Sequence, residues 1–175
     1  MKEMKITNSL ALKVYDSEDY VKNLQNIYAE LKSVYDSWQN ATIRDYVENL
    51  NSDIFFENKK IYINILMSGD DTVSFAIFSK KSNASVILNA ICTHSEYAKL
   101  GFATILLRAS ACNLKDEKIN EIIIDNNDDI ILKNLLDSFA KVEGVEYKEN
   151  EKFCKFCIKN IKNEQILSKI KQFYI

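Results

Sequence analysis

At 175 residues, with 47% of them hydrophobic and 27% charged, the chain has the make-up of one globular domain, able to bury roughly 70% of its unfolded surface. A formal charge of −2 leaves no basic footprint for nucleic acid, and no apolar stretch approaches the ~20 residues that a membrane span needs. The charged start MKEMK runs into polar ITNS rather than an apolar signal core, so the expected location is the cytoplasm.

Four cysteines, Cys92, Cys112, Cys154 and Cys157, are too few for a disulfide scaffold in a chain of this length. The stretch FCKFC holds a CxxC, but strand periodicity turns Cys154 and Cys157 to opposite faces. No second cysteine pair or histidine cluster completes a zinc site, so no metal is expected.

In chain order, MKITNSLALKVYD alternates weakly and reads as a first strand ending at Asp16. From Ser17, Tyr20, Leu24, Ile27, Leu31, Val34 and Trp38 recur at spacings of three and four, an amphipathic helix capped by Ser17 or Asp16. A shorter helix follows in ATIRDYVENLN, with Ile43, Tyr46, Val47 and Leu50 on one face. Helical spacing assigns most of the tyrosines here (Tyr20, Tyr28, Tyr35, Tyr46) to packing.

KKIYINILMSGDDTVSFAIFSKK reads as two strands around a hairpin turn at Gly69, and ASVILNAICT as a third, giving an antiparallel meander. After Gly101 the period changes from 2 to 3.6, with Ile105, Leu106, Ala109 and Cys112 or Asn113 at helical spacing. The remainder reads as a strand NEIIID, a helix DDIILKNLLDSFAKVEG closed by Gly144 at its C′ position, a strand pair within VEYKENEKFCKFCIKN, and a last amphipathic helix NEQILSKIKQFYI. The expected organisation is one domain over residues 1–160, with residues 161–175 a C-terminal helix packed on it.

Gly101 is one of three glycines in a chain without proline. A helix that starts directly after a buried strand presents unpaired backbone N–H groups and the positive end of its dipole, together a site for phosphate. Gly101 lets the backbone approach an anion without an intervening Cβ, and Ala103 keeps the next turn open. Each such charge contact is worth about 0.3–1 kcal/mol at an exposed site. The same spacing also fits a plain tight turn.

The stretch ICTHSEYAKLGFATILL resembles the acyl-CoA-binding signature of the GNAT superfamily of N-acyltransferases, in which a strand ends in a V-x-P-E-Y-like segment followed by [Q/R]-x-x-G-x-[G/A] and a helix. Thr93 falls on the last strand position, Ser95-Glu96-Tyr97 on P-E-Y, Ala98 on the Q/R position, Gly101 on the glycine and Ala103 on the permitted alanine. The element order over about residues 5–160 is similar too. The resemblance implies an α/β (α+β) fold, a mixed, mostly antiparallel sheet flanked by helices.

It further implies acetyl-CoA as cofactor and direct transfer of acetyl to a primary amine of a small molecule or peptide, by a monomer or homodimer. Ile91, Cys92 and Thr93 would pair through their backbone with the pantetheine arm. The amides from Lys99 through Leu100, Gly101, Phe102 and Ala103 to Thr104 would cradle the pyrophosphate. Ala98 would lie beside it, Asn126 or Asn127 near the cofactor-contacting asparagine position, and Phe139 at the position of the tyrosine that protonates the leaving thiolate.

Three positions depart from the family pattern. Ala98 replaces the Q/R side chain, Ile87 (or Ser85 in a shifted alignment) stands where many members carry a glutamate base, and Phe139 has no hydroxyl. An alkyl amine of pKa near 10.4 needs roughly 4.6 kcal/mol to reach its neutral form at pH 7, so a base or a desolvating pocket has work to do. His94, the one histidine, is either a base acting through water or a loop histidine facing solvent. Asp125, Asp128 and Asp129 could form an acidic mouth for a cationic amine or serve as helix caps. The rival reading is a catalytically silent GNAT-like module that binds CoA.

Overall fold

Thr7, Asn8 and Ser9 reverse the chain where a single first strand was expected. In the computed structural model, which describes residues 1–38, 41–55, 59–125, 130–150 and 152–173, β1 (Lys2–Lys5) and β2 (Leu10–Asp16) form a hairpin. The Thr7 hydroxyl accepts from the amides of Ser9 (3.2 Å) and Leu10 (3.0 Å), the local side-chain bond that favours turns over strands.

The long helix predicted from Ser17 is two helices, α1 (Ser17–Lys22) and α2 (Leu24–Asp36). Asp16 is the N-cap, its carboxylate accepting the Asp19 amide at 2.9 Å. Asn23 breaks the run: it adopts φ −126°, ψ 28°, and its side-chain amide donates to the Asp19 carbonyl at 3.1 Å. The apolar stripe survives the break, since Tyr20, Ile27, Leu31, Val34 and Tyr35 are all fully buried. Helix α3 (Ala41–Phe55) extends beyond the expected ATIRDYVENLN.

Strands β3 (Ile61–Ser68), β4 (Asp71–Lys80) and β5 (Ser85–Thr93) form the antiparallel meander, turning at Gly69 with φ 59°. Helix α4 (Phe102–Asp116), strand β6 (Glu121–Asp125), helix α5 (Ile130–Ala140), the hairpin β7 (Glu146–Glu149) and β8 (Phe153–Cys157), and helix α6 (Asn163–Phe173) complete the order. The strands lie in the order β1-β2-β3-β4-β5-β6-β8-β7. All neighbours are antiparallel except β5 and β6, so the sheet is mixed and mostly antiparallel, as expected.

Both faces of the sheet centre are covered, which explains the near-continuous apolar runs of β3 to β5. On one face Leu12, Leu66, Phe78, Leu88 and Ile122 pack with Leu106, Phe139 and Ile170, and hence with α4, α5 and α6. On the other, Ile63, Ile65, Phe75 and Ile77 pack with Ile27, Leu31, Val34 and Val47, and hence with α2 and α3. Burying one such side chain is worth about 1.5–3 kcal/mol, so both layers contribute heavily.

Helix α5 ends at Ala140, before Gly144. That glycine is not a helix terminator but lies in a later turn at φ 86°, where a Cβ would stand 2.4 Å from the carbonyl oxygen of Asn160. Helix α6 begins beside α4, where the Asn163 side-chain amide reaches the Cys112 carbonyl (3.3 Å) and the Asp116 carboxylate (2.9 Å). Cys154 and Cys157 are on β8, the first buried and the second half-buried, and all four cysteines are free.

Candidate active site

Strand β5 changes its facing and loses one of its two partners within nine residues. Along β4, Phe78 pairs with Leu88 and Ile77 with Ala90, leaving Asn89 as an extra, exposed residue. This bulge inverts the strand: Val86 and Leu88 face the α4 layer, whereas Ala90 and Cys92 face the α2 layer. On its other side, β5 pairs with β6 only through Ser85, Val86 and Ile87. From Leu88 to Thr93 no strand continues that ladder among the described residues, while β6 carries on against β8. The two parallel strands therefore diverge.

The diverging edge carries usable backbone. The Cys92 carbonyl accepts from Ser74 Oγ at 2.7 Å and the His94 amide donates to the Val73 carbonyl at 2.9 Å, so residues 92 and 94 turn their main-chain groups toward β4. Antiparallel alternation then directs the groups of Ile91 and Thr93 toward the open edge. Thr93 Oγ1 is held 2.9 Å from Ser74 Oγ, which fixes the strand end.

Past Thr93 the chain makes a single 3-10 turn, Ser95–Tyr97, capped by His94, whose Nδ1 accepts the Glu96 amide at 3.3 Å. The neutral His94 ring thus carries its proton on Nε2. Tyr97 anchors the loop: its hydroxyl donates to Asp71 Oδ2 at 3.0 Å, which raises its pKa, and its ring meets those of His94 and Phe102 edge to face. Lys99 (φ 64°) and Gly101 (φ 86°) are both left-handed, and Gly101 is the N-cap of α4. The helical ladder starts with the Ile105 amide to the Gly101 carbonyl at 3.1 Å, so the amides of Ala103 and Thr104 precede the first bond. Lys99, Leu100 and Gly101 are exposed.

The structure thus gathers Ile91, Cys92, Thr93, Ala98, Lys99, Leu100, Gly101, Phe102, Ala103 and Thr104 into one continuous strand edge, loop and helix start. Phe139 is 1% exposed and packed on Phe156 with ring centroids 5.2 Å apart. Asn126, Asn127, Asp128 and Asp129 lie outside the described residues. Asp125 is exposed at the end of β6, beside a shallow pocket that Lys133, Tyr147 and Glu149 also line. Neither candidate for the glutamate position offers a carboxylate: Ile87 is paired with Ile123, and Ser85 Oγ bonds Ser82 Oγ at 2.7 Å.

Cys92 faces the α2 layer, where burial pushes its thiol up to about 11, so it stays protonated at neutral pH and is no nucleophile. Sequence reasoning missed two residues at the strand end. Ser37 Oγ accepts the Ser95 amide at 2.9 Å, and the Trp38 indole N–H donates to the Thr93 carbonyl. Trp38, which helical spacing places on the apolar stripe, is 49% exposed. The polar Gln39-Asn40 that follows it was the available signal that the stripe had ended.

No family model matches the chain, and no curated protein matches it. Solved structures do. An acetyltransferase of the GNAT family from Desulfovibrio desulfuricans superposes with a TM-score of 0.60 at 10% identity, over 85% of this chain and 97% of that one. A ribosomal-protein alanine N-acetyltransferase from Escherichia coli gives 0.54 at 12% identity, over 86% and 96%. An N-acetyltransferase from Thermoplasma acidophilum, solved with coenzyme A, gives 0.51 at 14%, over 85% and 99%. The chain has the GNAT acyl-CoA N-acyltransferase fold, and at these identities the likeness extends to the fold alone.

Proposed function

We propose that this protein transfers an acetyl group from acetyl-CoA directly to a primary amine of a small molecule or peptide. One observation carries the reading: the open edge of β5 at Ile91 and Thr93 runs straight into the left-handed turn at Lys99 and Gly101 and the start of α4. An extended arm with amide groups fits the edge as an added strand, and a diphosphate fits the helix start. Lys99, exposed beside that start, supplies a cation that the absent Q/R side chain at Ala98 does not. Structures of the same fold have been solved with coenzyme A or acetyl-CoA bound.

Bound acetyl-CoA would supply an activated acyl thioester. The residues of this chain do the rest by position. Amides at the α4 start hold negative charge, and the β5 edge aligns the arm toward the bulge at Asn89, where β5 and β6 part. Transfer to an amine would form a C–N bond and break the C–S bond, the sulfur taking up a proton and the amine losing one to water, while the β5 edge at Ile91 and Thr93 and the α4 start would hold the two ends of the donor. Burial holds Cys92 as a neutral thiol, so it does not serve as the nucleophile of a covalent intermediate. With Nδ1 accepting the Glu96 amide and the proton on Nε2, His94 could take the amine proton through water only at Nδ1, by giving up that bond.

A second reading, a CoA-binding module without turnover, is favoured by the apolar or hydroxyl side chains at Ile87 and Ser85 and by the core placement of Phe139. Two measurements decide. Acetyl-CoA at 100 times its Kd should stabilise the fold by about 2.7 kcal/mol, and the absence of a thermal shift at millimolar acetyl-CoA would end both readings. Thiol release over polyamines, aminoglycosides, amino acids and peptides then separates them, because binding without release with any acceptor leaves only the module.

A further inference from the structure

Trp38 is the only tryptophan of the chain and closes α2, one residue past Ser37. A ring at the end of an apolar stripe ordinarily packs inward, yet this one stays 49% exposed. Its indole N–H donates to the Thr93 carbonyl, across 55 residues of sequence. Beside it, Ser37 Oγ donates to the Val34 carbonyl at 2.6 Å and accepts the Ser95 amide at 2.9 Å. The end of α2 is thereby fastened to the end of β5 on both sides of His94.

The acceptor is the telling part. The Thr93 carbonyl is one of the groups that β5 directs toward its open edge, and a strand-like arm laid along that edge needs such a carbonyl for its own amide N–H. In this structure the position already has a donor, supplied by a side chain from the opposite layer.

We propose that Trp38 is the resident donor of the cofactor-arm site: its indole N–H holds the Thr93 carbonyl while the arm is absent and hands it to an amide of the arm on binding, so that Trp38 sets cofactor affinity. The inference rests on the CoA reading above. The exchange is one N–H···O bond for another, with no covalent change. The released indole N–H passes to water, which an already half-exposed ring permits without burying an unpaired donor. Ser37 keeps its bond to Ser95, so α2 itself stays in place while the ring moves.

The test uses coenzyme A as the probe and calorimetry as the measure of binding. In the native chain, coenzyme A should shift the emission of the single tryptophan to the red as its N–H becomes hydrated. Trp38→Phe, which removes the donor and retains an aromatic ring at an exposed position, should bind coenzyme A about three- to tenfold tighter, the equilibrium equivalent of one ordinary hydrogen bond. Calorimetric binding with unmoved emission, or a Trp38→Phe affinity that is unchanged or weaker, overturns the proposal and leaves the cofactor reading standing. No calorimetric binding by either protein instead removes the cofactor reading and the proposal with it.

Discussion

Gly101 and Lys99 share the left-handed backbone, and only one of them is a glycine. For a β-branched residue that conformation is a steric outlier, costing roughly 1–2 kcal/mol, so Gly101→Val has to move the turn off its present path. The amides that precede the Ile105-to-Gly101 bond would then point away from a shared anion. We expect Gly101→Val to weaken coenzyme A binding about tenfold, the equivalent of 1.4 kcal/mol, in calorimetry run well below the unfolding transition of the variant. An affinity within twofold of native would place the anion elsewhere. The residues of this loop were readable in the sequence because a glycine between an apolar strand and an apolar helix pattern stands out where glycine is rare. Trp38 was not, because a ring at helical spacing looks the same whether it packs inward or turns toward a carbonyl of a distant strand.

At the level of elements, hydrophobic period located the meander, α4, β6, the β7–β8 pair and α6. Its failures have local causes. Asn23 splits the first helix through a side-chain bond to the Asp19 carbonyl, which leaves the apolar spacing on either side unchanged and so invisible to it. Asn89 makes a bulge that any exposed polar residue could make, and the facing switch it produces shows only in the register with β4. The parting of β5 and β6 is likewise a matter of pairing, not of composition. Gly144 has the sequence position of a helix end, whereas the Asn160 carbonyl dictates it. This gives a contrast between two glycines of similar φ. Gly69→Ala meets open space and should cost about 1 kcal/mol from its left-handed backbone alone. Gly144→Ala must also displace the backbone at Asn160 and Ile161, and should cost clearly more in urea unfolding. Equal costs would mean that the 158–161 segment yields freely.

For the molecule as a whole, the two apolar layers divide the labour. The α4 layer ends in the helix start proposed to hold an anion, and the α2 layer ends in Ser37 and Trp38, which are fastened to the same strand end. Strand β5, turned over at Asn89, belongs to both. With a net charge of −2 the protein offers no general attraction to a polyanion, so recognition of one has to come from these local donors. Among the described residues no helix is long and apolar enough to cross a membrane. Backbone hydrogen exchange across the chain, with and without saturating coenzyme A, reads those donors one by one. Slowing on the order of tenfold is expected at the amides of Gly101 to Thr104 and at Ile91 and Thr93, with the β7–β8 hairpin unchanged. Saturating binding that leaves the Gly101–Thr104 amides exchanging at their free rates would contradict it.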